Sequence, residues 1–126
     1  AQLELVLTRA TGMVDDLSAL EHQALIASLP DFKPVFNLLI DARTVTENYV
    51  SRDGIIQMCG ITPFEPSIKR AYVVGDEKSC MLATLSGSMT SKDNFFYVTY
   101  EIKDACAWLG ISHIDIITSS LYDDNK

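Results

Sequence analysis

The run Pro34-Val-Phe-Asn-Leu-Leu-Ile-Asp-Ala42 decides how this chain folds. It is nearly continuous in apolar residues and ends near an acid, Asp41. A strand with one wet face alternates apolar and polar side chains, whereas a strand covered on both faces does not. The run therefore reads as the central strand of a sheet with helices packed on it. On its N-terminal side, LELVLTR (residues 3–9) does alternate, with Leu3, Leu5 and Leu7 set against Glu4 and Thr8. That is the pattern of an edge or antiparallel strand. Between the two, DDLSALEHQALIASL (residues 15–29) has helical spacing, with Leu17, Leu20, Ala24, Ala27 and the flanking Leu25 on its inward face. Asp15 and Asp16 suit the positive end of that helix, and Pro30 stops it.

On the C-terminal side, residues 46–60 read as a helix starting near Glu47 or Ser51 and capped at Gly60. ITPFEPS, with two prolines, is a loop. KRAYVVG (69–75) is a short strand, and residues 76–89 a helix with Cys80, Met81, Leu82 and Leu85 turned inward. NFFYVTY (94–100) is strongly β-prone, and EIKDACAWLG (101–110) is a closing helix. The order β-α-β-α-β-α-β-α, with no repeat or linker, predicts an α/β fold with a mixed, mostly parallel sheet.

At 126 residues the chain has the size of one domain. It opens on Ala1 rather than Met, which implies a trimmed start. No apolar run is long enough to span a bilayer and no signal peptide opens the chain, so a cytoplasmic protein is expected. The formal net charge of −7 repels polyanions, which argues against nucleic acid as a partner; the only tight basic pair is Lys69-Arg70. The three cysteines, Cys59, Cys80 and Cys106, lack metal or redox spacing and read as inert core thiols. No metal or cofactor is implied.

The catalytic motifs are equally quiet. Ser86-Gly-Ser88 is not a nucleophile elbow, and neither phosphate-cradling glycine pattern occurs. His22 and His113 have no partner at catalytic or ligand spacing and read as surface imidazoles. The acids of LYDDN near the C-terminus read as a solvated end. The stretch LLIDARTVTENYVSRDG (38–54) is different. A buried strand emerges at Asp41 and passes through a polar loop into a helix, at the strand ends where α/β sheets gather ligands. Asp41, Thr44 and Ser51 are the candidate ligand or regulatory residues, with an anion or phosphate held by the N–H groups of the helix start. The alternative is that all three merely cap turns.

In order along residues 3–110, the segments TRATGMVDD, PVFNLLIDARTVT, KRAYVVGDE and FFYVTYEIKDACAWLG resemble the SpoIIAA-like family. That family is related in fold to STAS domains and to the lipid-binding CRAL-TRIO modules. The most specific piece is Ala107-Trp-Leu-Gly110, and Trp108 is expected to dock the last helix on the sheet. The resemblance implies a small bacterial α/β domain. In the anti-sigma antagonists a serine at the start of the helix after the central strand is phosphorylated by a partner kinase. Ser51 occupies the matching region, without the Asp-Ser-Ser-Gly pattern of those switches.

The expectation is a SpoIIAA-like domain over residues 1–110 with a C-terminal extension over 111–126. Its expected role is regulatory and not enzymatic: binding a protein partner, or a small anionic or apolar ligand. Two other roles remain open, a lipid or apolar-ligand carrier and a small enzyme with a dispersed site. A roomy apolar pocket favours the carrier, and convergent His and carboxylate groups in a cleft favour the enzyme. Ile111, Ile114, Ile116, Ile117 and Leu121 lie beyond the resemblance and must fold back or bury against a second copy, as in a homodimer.

Overall fold

The computed structural model describes residues 4–91 and 95–112. Its elements are β1 (Leu5–Asp15), α1 (Asp16–Ala27), β2 (Asn37–Tyr49), α2 (Arg52–Gly60), β3 (Arg70–Val74), α3 (Glu77–Thr90), β4 (Phe96–Thr99) and α4 (Ile102–Leu109). The four strands lie in the order β1-β2-β3-β4, and every pairing is parallel. The α/β class follows from this directly. β1 is an edge strand, but it is parallel to its neighbour and buried on both faces, with Leu5 and Leu7 on one side and Val6 and Thr8 on the other.

The sheet has two unlike faces. Leu5, Leu7, Leu39, Ala71 and Val73 point to one side and meet Ile102, Ala105, Cys106 and Leu109 of α4 in a closed core. The alternate residues point to the other side, where Val6 and Leu38 meet Ile26, Phe64 and Ile68. α1, α2 and α3 cover that second face. Trp108 stacks on Tyr97 at 5.5 Å with Lys69 Nζ 5.3 Å above its ring, and is half-buried at the rim of the α4 core. It docks the last helix, as expected, although the core of that contact is made by its neighbours.

β2 is longer than the sequence implied. Residues 43–49 were expected as a polar loop and helix start, yet they continue the strand, with Val45 buried between exposed Thr44 and Thr46. β1 accompanies β2 all the way to the Asp15–Tyr49 pair, whereas β3 leaves it after Ala42–Val74. The last part of β1 and β2 is thus a two-stranded ribbon projecting past the sheet. Two register shifts, opposite Arg9–Thr11 and Gly12–Met13, bend the ribbon, and at each β2 carries one residue more than β1. Gly12 permits the second shift because its φ of 71° lies in the left-handed region.

Two helix faces also differ from expectation. In α1 only Ile26 is fully buried, while Leu17 and Leu25 are exposed; Ala19, His22 and Gln23 face inward instead. Asp15 caps the helix through a reciprocal pair with Ser18, each side chain bonded to the other's backbone N–H at 2.9 Å. His22 lies beside Thr8 Oγ1 on β1, which further fixes the rotation of the helix. In α3, Met81 is exposed, and the inward positions are Leu82, Ala83 and Ser86. Of the cysteines, Cys106 is in the core, and Cys59 and Cys80 are half-buried. Ile111 folds back against the α4 core. The tail beyond Ser112, with His113 and the other aliphatic residues of the extension, lies outside the described residues.

Candidate functional site

Small side chains where a packed layer needs large ones leave a space between the sheet and α1–α3. Ala42 on β2, Ser18 and Ala19 on α1, and Ala83 and Ser86 on α3 all face it. The result is a cavity of about 440 Å³ whose walls are otherwise mostly aliphatic, including Ile26, Ile40, Val45, Ile55 and Leu82. Thr11 and Met13 are the exposed residues of its lining, so its mouth lies under the bent end of β1. Ligand pockets typically span about 300–1,000 Å³. Because the cavity opens to solvent, water or a ligand can enter it.

Polar groups enter the cavity at a few points. At one end, Arg70 on β3 is only 2 % exposed. Its guanidinium donates to Ser91 Oγ at 3.2 Å and to the Glu65 carbonyl at 3.3 Å, and sits 5.9 Å from the centre of the Phe64 ring. Burial lowers its pKa from the usual arginine value, but the group remains charged. Tyr72 lies one strand repeat further on, its phenol pushed up by burial against the opposing influence of the nearby Ser86 hydroxyl. Burial likewise pushes up the Cys59 thiol, which makes it a poor nucleophile. Under α1, the His22 imidazole is lowered by desolvation and is therefore neutral near pH 7, not the solvated surface group expected from sequence. Gln23 donates to the Met58 carbonyl at 3.3 Å, and Asn48 to Ser79 Oγ at 3.1 Å, tying the walls together.

The three residues singled out from sequence do not converge on this cavity. Asp41 is 2 % exposed and pairs in register with Val73, so it points to the α4 face. Arg43 grips it with Nε at 2.9 Å and Nη2 at 2.7 Å, and Arg9 Nε lies 3.8 Å away. It is a buried ion pair. Thr44 is exposed on the ribbon, its hydroxyl 3.4 Å from the Ala10 carbonyl. Ser51 is the N-cap of α2, where its Oγ accepts from Gly54 N at 2.9 Å.

The anion expected at that helix start is the protein's own. Asp16 accepts from Ser51 N at 2.8 Å and from Ser51 Oγ at 2.6 Å, and both bonds hold its pKa below the usual carboxylate value. Gly54 makes room for it, since a Cβ there would stand 2.1 Å from an Asp16 carboxylate oxygen. The slot joins the starts of α1 and α2, and a free phosphate has no vacant place in it. Sequence reasoning missed Arg70, His22 and the cavity itself. The available signal was the set of small residues at inward helix positions.

Among the described residues no three His, Cys, Asp or Glu side chains cluster as metal ligands, and no helix is long and apolar enough to cross a membrane. The fold and the site together define an α/β domain with one sealed sheet face and one hollow one. No family model matches the chain, and neither a curated protein nor a solved structure matches it.

Proposed function

We propose that this domain is a binding module for a small, largely apolar molecule, held between the sheet and α1–α3, and that it does no chemistry on it. The cavity carries this reading: about 440 Å³ behind an apolar lining, some three times the roughly 150 Å³ of an engineered protein cavity that binds benzene. A closed core would have favoured a purely protein-binding domain. Against an enzymatic role, the cavity's imidazole is engaged with Thr8, its thiol is raised by burial, and among the described residues no carboxylate lines it. The resemblance to the SpoIIAA-like family, and through it to CRAL-TRIO modules, points in the same direction.

Native mass spectrometry of freshly purified protein tests the proposal, together with calorimetric titration of decan-1-ol into protein stripped of any ligand. Decan-1-ol is a neutral apolar probe. The expected results are a co-purified adduct that is lost on denaturation, and saturable one-to-one binding. A bare chain mass combined with no decan-1-ol binding would refute the reading.

A further inference from the structure

The chain carries 17 Asp and Glu residues and a net charge of −7, yet among the described residues no carboxylate lines the cavity, while Arg9 and Arg70 do. Arg70 begins β3 and stands level with Leu38 of β2 and Phe96 of β4. The mouth lies towards the other end of the strands, beside Met13. Between the levels of Leu38 and Val45, both on the wall, seven residues at ~3.3 Å each make a path of roughly 20 Å. The cavity is thus elongated and mostly apolar in surface, with the buried Arg70 at its inner end and Arg9, already paired with Asp41, on its β1 wall.

Arg70 is underused as a structural group. A guanidinium has five N–H donors, and its two hydrogen bonds both go to neutral oxygens. Among the described residues no carboxylate lies within ion-pair distance of it, and the buried acid of the sheet, Asp41, is taken by Arg43 and Arg9 on the opposite face. A buried cation without a counter-charge is strongly unfavourable, and pairing relieves much of that cost. The neighbouring hydroxyls of Tyr72 and Ser86 are neutral and can donate to an anion, whereas Thr90 gives its hydrogen to the Ser86 carbonyl at 2.7 Å.

We propose that the ligand is an amphiphilic monocarboxylate, its carboxylate bound by Arg70 at the inner end and its apolar tail running towards Met13. This rests on the binding function proposed above and adds the chemical class and orientation of the ligand. The fork of the guanidinium matches a carboxylate in two-point geometry, which an alcohol cannot reproduce.

Calorimetric titration of decanoate and decan-1-ol, which share a tail length, tests it on the wild type, Arg70→Met and Arg70→Lys. The wild type is expected to bind decanoate about 10- to 100-fold more tightly than decan-1-ol, the margin of one charged hydrogen-bonded contact. Arg70→Met removes that margin and leaves decan-1-ol affinity in place, and Arg70→Lys keeps part of it. Should Arg70→Met fail to fold, the wild-type comparison and Arg70→Lys still decide. Decanoate binding no more tightly than decan-1-ol, or unchanged in Arg70→Met, overturns the assignment of Arg70 while the cavity remains a binding site. Failure of both probes overturns the carboxylate assignment, and combined with a bare chain mass it overturns the binding function as well.

Discussion

Ala83→Leu tests the hollow face by the sign of its effect. Ala83 lies half-buried on α3 and faces the cavity. Leucine adds three carbons at a helix position where its propensity is close to that of alanine. If they enter the 440 Å³ space, each contributes up to ~0.8 kcal/mol, or about 2.4 kcal/mol for a perfect fit. Imperfect contact with the walls reduces this to roughly 1–2 kcal/mol, which for a domain of this size raises the melting temperature by about 3–8 °C. In an ordinary closed helix–sheet layer the same change overpacks and costs about 1–3 kcal/mol. Scanning calorimetry on ligand-free protein separates the two, and titration with decan-1-ol should show weaker binding in the variant. A lower melting temperature with unchanged decan-1-ol affinity would refute the cavity.

Three further outcomes are expected. Gly54→Ala pushes the Asp16 carboxylate off Ser51 and lowers the urea denaturation midpoint, even though alanine is the better helix former; in an Asp16→Ala background the same change becomes neutral or stabilising, and an equal cost in both backgrounds argues against the slot. Because burial lowers the pKa of His22, the unfolded chain binds a proton below about pH 6.5 that the folded chain resists, so this contribution to stability is complete above that pH and is lost as pH falls below it. Denaturation midpoints at pH 7.5 and 5.5 should differ less in His22→Gln than in the wild type, and an identical difference rules the site out. Trp108→Ala loses a ring stack, a cation–π contact and half-buried area, together about 2–3 kcal/mol, with decan-1-ol binding unchanged because the ring lies on the α4 side of the sheet. An unaltered thermal midpoint contradicts that docking role.

Much of the fold was legible because its strands announce themselves by burial. The apolar run at 34–42 and the aromatic run at 94–100 have few other homes, whereas the alternation read in β1 passed over Val6, which is buried on the face opposite Leu5 and Leu7. Residues 43–49 misled because RTVTENY is polar; its strand signal is the β-branched Thr44, Val45 and Thr46, with Val45 alone turned inward. In α1 the exposed leucines are more hydrophobic than the residues that face the sheet. There the helix rotation follows the Asp15 cap and the His22–Thr8 contact, both tertiary or terminal effects that apolar spacing does not encode. At the start of α2 the sequence suggested a bound anion, and in the structure Ser51 N instead donates to Asp16, 35 residues away in the chain.

The pair Lys69-Arg70 shows most plainly what a linear reading loses. Taken together the two residues read as a small basic surface patch, but consecutive residues along a strand direction face opposite ways. Lys69 goes to the α4 side, over the Trp108 ring, and Arg70 into the cavity. The sheet therefore carries two buried charge arrangements of opposite kind. On the α4 side Asp41 is enclosed by arginines and the core is shut, so the pair needs nothing from outside. On the hollow side a cation stands at the end of a mostly apolar channel with only neutral oxygens among its described hydrogen-bond partners. An internal aspartate at that point would have stabilised Arg70 and consumed its donors. Leaving them for a bound carboxylate makes filling the cavity and neutralising the cation the same event, and that coupling is what the paired decanoate and decan-1-ol titrations measure.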